Sequence, residues 1–301
     1  MSVEDGLGRN IVDIHGETGV EWLSRLPSLL GEIAECWALT LCPPFPDLTY
    51  NYVAPVKLSD GGHAVLKVGV PDKERLAEIE ALPYYGGGMV RVLASDATLG
   101  ALLLERLETG EPLSILTESG RDGEATIIAA RLMRAAWRPA PDGLDVPSVS
   151  DWAAGLAKMR RRYNGGTGPL PPDLVEQAER DFAEFTASEP TVLLHGDLHH
   201  GNILSAQRAP WIAIDPKGLA GPRGYDAGNF LRSYVETLPD PRRGLDLRLD
   251  ILSAELEMDR DTLRRWAFAQ AVLSAWWSIE DHGHGWQEAI EVAKVLAEMG
   301  G

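Results

Sequence analysis

Apolar side chains recur at helical spacing near the start of the chain, at Val20, Leu23, Leu26, Leu29, Leu30, Ile33 and Trp37. The spacing predicts a helix over 17–37, with Pro27 as a kink or a second start. Residues 37–41 then read as a strand. Two β-like runs, 50–58 and 63–68, flank Ser59-Asp60-Gly61-Gly62, a hairpin signal. Residues 71–81 read as a helix with Pro71 in its first turn and acids near its start. Gly86-Gly87-Gly88 turns into a strand over 89–93, and 99–104 is apolar enough for a central strand. Past Gly110 and Pro112 the pattern becomes helical. Helices are expected over 125–137, from a cap at Ser150 or Asp151 to Tyr163, and over 173–188, with 139–147 as a linker. Arg160-Arg161-Arg162 suits the C-terminal end of the middle helix. Four more helices fill the tail, at 229–237, 245–256, 261–279 and 286–299.

Composition narrows the partners. The chain has 301 residues, enough for two lobes with separate cores. Hydrophobic content of 45% and charged content of 24% are ordinary globular values. The net charge is −17, from 45 acidic and 28 basic residues. Such a surface repels nucleic acid and anionic membranes, so neither is an expected partner, and it attracts cationic small molecules. Cys36 and Cys42 have no metal-binding spacing, which suits a reducing cytosol, and both are expected to be buried. No signal core opens the chain and no apolar run reaches the roughly 18 residues of a membrane span, so a cytoplasmic location is expected.

The densest chemistry lies in Leu193-Leu194-His195-Gly196-Asp197-Leu198-His199-His200-Gly201-Asn202-Ile203-Leu204, a polar loop between apolar runs. Asp197 and Asn202 belong to the loop, and Asp215 ends the next apolar run, Trp211-Ile212-Ala213-Ile214. Phosphoryl transfer needs this set: a carboxylate to orient and deprotonate the attacking hydroxyl, and an Asn and an Asp to hold Mg²⁺ against nucleotide phosphates. His195 is read as a hydrogen-bonder that orients the loop. His199 and His200, without Cys or further His ligands, make a weak metal site.

His195-Gly196-Asp197 with Asn202, followed by Ile214-Asp215-Pro216, resembles the H-G-D-x-x-x-x-N loop and I-D-P element of the aminoglycoside phosphotransferase family. The nearest likeness is to its streptomycin 6-phosphotransferase and hydroxyurea phosphotransferase branch. Protein kinases carry H-R-D and D-F-G instead; the Gly and the Pro favour small-molecule kinases, and no A-P-E segment occurs. The resemblance runs from about residue 20 to the end and includes Gly86-Gly87-Gly88-Met89-Val90-Arg91-Val92-Leu93 and Leu102-Leu103-Leu104-Glu105-Arg106-Leu107.

The resemblance implies an α+β, two-lobed protein-kinase-like fold. A small mixed α/β N-lobe over 1–107 would bind nucleotide, and a larger, mainly helical C-lobe over 108–301 would carry catalysis and the acceptor. ATP between the lobes, with Mg²⁺, would give its γ-phosphoryl group to a hydroxyl of an aminoglycoside such as streptomycin. Lys67 would meet the α- and β-phosphates, paired with Glu78 or Glu74; Glu80 is a third candidate, and an E-x-x-x-L pattern ending at Leu82 favours Glu78. Backbone groups of Glu105 and Leu107 would bind the adenine edge. Asp197 would be the base, and Asn202 and Asp215 the metal ligands. Asp226 would cap a helix and fix the catalytic loop; Lys217 is open between surface and substrate. Trp277-Ser278-Ile279-Glu280-Asp281 resembles the tail of streptomycin 6-phosphotransferases, so Trp277, Glu280 and Asp281 would face a cationic acceptor. The loop Asp47 to Tyr52 lacks glycine, and no phosphate contacts are assigned to it. The alternatives are a kinase of hydroxyurea or of another small metabolite (a sugar, amino sugar or amino alcohol) and a non-catalytic nucleotide-binding pseudokinase. Oligomeric state is not implied.

Overall fold

The computed structural model describes residues 6–46 and 48–300. Asp47, at the start of the loop without glycine, and the first five residues lie outside the described residues. The chain divides into two compact units, Met1–Pro83 with Val90–Arg106, and Tyr84–Met89 with Leu107–Gly301.

The first unit begins with α1 (Leu7–Cys36), kinked at Gly16, whose φ of 56° and ψ of −131° only glycine adopts readily. Trp22, Leu26, Leu29 and Ile33 form its buried stripe and join the core of the sheet. Val20, expected on that stripe, is 53% exposed. Pro27 stays inside the helix on its exposed face, where water can reach the carbonyl that its ring leaves unpaired. The strand expected over 37–41 shortens to β1 (Thr40–Leu41), because Trp37 closes the helix and Ala38 turns left-handed. β2 (Tyr52–Lys57) and β3 (His63–Val68) form the expected hairpin, whose turn is fixed by Gly62 N donating to Asp60 Oδ1 at 2.8 Å. α2 (Lys73–Ala81) is capped by Asp72, which accepts from Arg75 N, so Pro71 lies before the helix rather than in its first turn. β4 (Val92–Asp96) starts later than the expected strand over 89–93, and β5 (Ala101–Glu105) is buried for most of its length. The antiparallel sheet runs β1-β2-β3-β5-β4. Both cysteines depart from expectation: Cys36 ends α1 on the exposed face and Cys42 is half-buried.

The second unit holds α3 (Ser114–Glu118), α4 (Asp122–Ala136), α5 (Val149–Arg162) and α6 (Pro172–Ser188), and then β6 (Thr191–Leu194), β7 (Ile203–Ser205), β8 (Trp211–Ala213) and β9 (Leu219–Pro222). It closes with α7 (Gly224–Arg232), α8 (Pro241–Leu256), α9 (Arg260–Asp281) and α10 (Trp286–Glu298). The cap of α5 is Ser148, in a capping box with Asp151, rather than Ser150 or Asp151 itself. Arg160 pairs with Glu179 at 2.8 Å, joining α5 to α6. Met89, expected in a strand of the sheet, instead bridges Ala213, which accounts for the late start of β4. β6 pairs with β9 and β7 with β8, each antiparallel.

α9 is the axis of this unit. Trp266 and Trp276 on it are fully buried. α7 packs so closely on α9 that a Cβ at Gly228 would lie 2.9 Å from Ala267 N, a contact only glycine permits. Arg248 of α8 is wholly buried; it forks onto Asp122 of α4 at 2.7 and 2.9 Å and donates to the carbonyls of Leu231 and Ser233 at the end of α7.

Candidate active site

In the second unit, β6 delivers His195, and Gly196 takes a φ of +83°. A Cβ there would lie 3.1 Å from that of Lys217 and 3.2 Å from that of Leu219, so both backbone and space require glycine. Asp226, 1% exposed, accepts from His195 N at 3.0 Å, Gly196 N at 2.8 Å and Trp137 Nε1 at 2.9 Å. Asp226 therefore fixes the loop, as expected, but makes no cap: α7 begins without a side-chain cap. Burial raises the Asp226 carboxyl above the usual range, against the pull of its three hydrogen-bond donors.

His195 orients the loop. Its Nδ1 accepts from Asp197 N at 3.2 Å, which leaves Nε2 to donate to Ile214 O at 2.8 Å. Both nitrogens are used, and burial lowers its pKa, so the ring is neutral. Lys217 N donates to His195 O at 2.7 Å, tying the Asp215 segment to the loop from its far side.

The three oxygen-bearing residues meet through the β7–β8 hairpin. Asn202 Nδ2 donates to Asp197 O at 3.0 Å. Ile214 N donates to Asn202 O at 2.9 Å, which sets Asp215 next to Asn202. Asp215 itself is left-handed, with a φ of 58°. That conformation costs an ordinary L-residue about 1–2 kcal/mol, though Asp tolerates it better than most, and such strain gathers at functional sites. Asp197 Oδ1 lies 3.4 Å from Asn229 Nδ2, and Oδ2 lies 3.8 Å from His199 Nε2. Burial lowers the pKa of His199 too, and its Nδ1 accepts from Gly201 N.

Asn202 with its carbonyl-type oxygen and Asp215 with its carboxylate offer only oxygen donors. Mg²⁺ suits such a pair, since it keeps several waters and takes one or two carboxylates plus phosphate oxygens rather than a closed protein cage. Among the described residues no group of three His, Cys, Asp or Glu forms a cage, and the His199-His200 pair gathers no further ligands. His200 is instead buried against the Phe230 ring, 4.2 Å between centroids.

In the first unit Lys67, 4% exposed, meets Glu78 Oε1 at 2.7 Å. Of the three candidate acids Glu78 faces inward, whereas Glu74 and Glu80 lie on the exposed side of α2. Arg75, which sequence reasoning missed, is equally buried. It donates to Glu78 Oε2 at 2.5 Å, to Lys67 O at 2.8 Å and to Gly100 O at 2.9 Å. Glu105 N is already engaged with Arg91 O at 2.9 Å, so its amide is unavailable to an adenine edge.

Trp277 stands edge-on to Trp152 at 5.6 Å, and Trp152 edge-on to Tyr225 at 5.9 Å. Trp152 reaches the catalytic loop, with its Cη2 3.5 Å from a Cβ position on Gly196. Glu280 is paired with Lys158 of α5 at 2.6 Å, and Asp281 lies exposed at the end of α9. Trp152, Asn229 and Arg232 carried no local signal in the sequence. Each belongs to an ordinary helix pattern and gains meaning only from α5, α7 and α9 converging on the loop.

Solved structures share this fold. The aminoglycoside phosphotransferase APH(4)-Ia is similar with a TM-score of 0.62 at 14% identity, over 91% of this chain and 98% of that one. A choline kinase from Streptococcus pneumoniae gives 0.60 at 15% identity, over 91% and 99%. In sequence, a hydroxyurea phosphotransferase of Kitasatospora aureofaciens is 35% identical across 95% of this chain and 83% of its own length. A streptomycin 6-kinase of Streptomyces glaucescens is 32% identical across 93% and 92%. These relatives are kinases by name, which sets aside the pseudokinase alternative. The family model for aminoglycoside/hydroxyurea antibiotic resistance kinases matches residues 43–282, so the chain belongs to that family: it is a two-lobed, protein-kinase-like phosphotransferase that uses ATP on a small-molecule acceptor.

Proposed function

We propose that the chain transfers the γ-phosphoryl group of ATP to a hydroxyl of an aminoglycoside such as streptomycin, in the cytoplasm. The observation that carries this reading is the linkage of Asp197, Asn202 and Asp215 through Asn202 Nδ2 to Asp197 O and Ile214 N to Asn202 O. Asp197 orients the acceptor hydroxyl and takes its proton late. Asn202 and Asp215 would hold Mg²⁺, which when bound would neutralise charge on the phosphate oxygens. Lys67, positioned by Glu78, meets the α- and β-phosphates. The Glu105 carbonyl and the Leu107 amide serve the adenine edge. Trp277 and Trp152, edge-on to each other, support an aromatic wall whose exposed ring face takes a guanidinium- or amine-bearing sugar. Glu280 would join it by exchanging Lys158 for the acceptor's cation, with Asp281 beside it.

Hydroxyurea is the second reading. It is favoured by the Lys158–Glu280 pair, which leaves the wall less acidic, and by the hydroxyurea phosphotransferase relative. An ADP-release assay with Mg²⁺-ATP over streptomycin, other aminoglycosides, hydroxyurea, amino sugars and amino alcohols separates the two. Turnover is expected with streptomycin; turnover with hydroxyurea alone overturns that acceptor. Asp197→Asn should lose roughly 10²–10⁴-fold in kcat while its ATP Kd stays unchanged. Retention of most turnover in that variant would remove the base assignment.

A further inference from the structure

Arg232 is the last residue of α7, and its guanidinium carries only donors. Nη2 donates to Asn229 Oδ1 at 2.6 Å, and Nη1 to Ser274 Oγ of α9 at 3.2 Å. Nε is buried with no hydrogen-bond partner among the described residues. Among the described residues the polar contacts of this cation are thus an amide oxygen and a hydroxyl, with no carboxylate at hydrogen-bond distance. That is a costly placement for an ordinary structural arginine, since an incompletely paired buried donor forfeits its hydration.

The placement does one definite thing. Because Arg232 can only donate, the oxygen of the Asn229 amide must face it. The Nδ2 end is therefore turned to Asp197 Oδ1 at 3.4 Å and to Leu198 O at 3.3 Å. The opposite rotamer would set NH₂ against guanidinium and amide oxygen against carboxylate, both repulsive. Arg232 is itself held on either side in the chain, where Arg248 binds the carbonyls of Leu231 and Ser233. Ser233 Oγ donates to Asn229 O at 2.6 Å and fixes the helix turn between them. A rigid path therefore runs from α9 through Arg232 and Asn229 to the Asp197 carboxylate.

We infer that Arg232 is a positioning residue for phosphoryl transfer, locking Asn229 so that its amide steers one oxygen of Asp197 and leaves the other for the acceptor hydroxyl. This rests on the reading of Asp197 as the base. The test compares Asp197→Asn, Arg232→Met, Arg232→Lys, Asn229→Ala and the double variant Arg232→Met/Asn229→Ala, each checked for thermal midpoint and ATP Kd. The acceptor is whichever compound in the panel above the wild type turns over. Misplacing a reacting group by about 1 Å costs up to about 100-fold, so Arg232→Met should lose roughly 10- to 100-fold in kcat with both KM values within about threefold. Arg232→Lys, which still donates, should recover most of the loss. The double variant should be no slower than the slower single, because both changes break one path. Multiplying losses in the double variant, or an Arg232→Met kcat within about twofold of wild type, overturns the inference. Should Met at this position unfold the chain, the same cycle with Arg232→Gln decides it. An active Asp197→Asn overturns the base reading, whereas an inactive Asp197→Asn beside a normal Arg232→Met overturns only this inference.

Discussion

His200 shows how far a single residue can depart from the reading its neighbours invite. Its side chain is wholly buried, and neither ring nitrogen has a hydrogen-bond partner among the described residues. Asp122 Oδ1 lies 3.9 Å from its Nε2, but that carboxylate is already neutralised by Arg248. Burial, with Arg248 and His199 adding to it, pushes the His200 pKa down to about 2. The sign follows from linkage. An unfolded His binds its proton as pH falls through about 6.5, the folded ring does not, and so stability declines below that pH. At pH 5 this single group costs on the order of 2 kcal/mol. His200→Phe, which keeps the stack on Phe230, should hold its thermal midpoint at pH 7.5 and lose less of it at pH 5 than wild type. Equal losses would mean that the ring is hydrated or protonated in the folded state. At this scale the sequence singles out Asp197, Asn202 and Asp215 because they are nearly contiguous, and the structure ties their segments together by hydrogen bonds. The sequence was mute at Arg75, Asn229 and Arg232, whose partners come from other turns or other elements. Glu78 was preferred but not separated from Glu74, since the inward-facing side of a short helix shows only once the sheet lies beneath it.

Among the elements, α7 and α9 carry the loop, and their closeness is itself testable. At Gly228 an alanine would gain helix propensity of about 1 kcal/mol, yet its Cβ meets Ala267 N at 2.9 Å and Gln270 Oε1 at 2.8 Å. Backbone cannot yield as a side-chain tip can, so overpacking of about 1–3 kcal/mol should win. Gly228→Ala should lower the thermal midpoint by a few degrees and slow turnover through the displaced Asn229. Gly31 in α1 is the control: nothing lies within 4 Å of its Cβ position, and Gly31→Ala should raise the midpoint slightly. A stabilised Gly228→Ala would mean that the two helices have room to separate. Helices and the β2–β3 hairpin were legible because their apolar periods are long or their turn residues distinctive. Errors fell at ends and on short strands. Ser148 took the cap expected of Ser150 or Asp151 because Asp151 closes a capping box with it. The apolar run from Met89 reads as a strand, but Met89 pairs with Ala213, and no local pattern reports a partner so distant in sequence.

For the whole molecule the telling quantity is charge. A net charge of −17 attracts cations, but the same acidity is compatible with a neutral acceptor. Family membership and fold do not decide between them, because a fold does not fix its acceptor; in the proposed reading that choice falls to a few side chains such as Trp152, Trp277 and Glu280, and the last is already paired with Lys158. Ionic strength supplies the decision. The screening length falls from about 30 Å at 0.01 M to about 10 Å at 0.1 M, so attraction summed over the acidic surface is strong in dilute buffer and nearly gone at physiological salt. A polycationic acceptor such as streptomycin should then show a KM that rises several-fold between about 20 and 300 mM salt, with kcat unchanged, because the transfer step at Asp197 is shielded by local groups. Hydroxyurea, being neutral, should show a flat KM over the same range, and its response controls for salt effects on ATP and Mg²⁺. If streptomycin is turned over with a KM indifferent to salt, the acidic surface plays no part in its capture, and recognition must lie in contacts within the aromatic wall. If its KM rises as expected, Glu280→Gln should flatten only part of the slope, since a field spread over the whole surface survives the loss of one carboxylate.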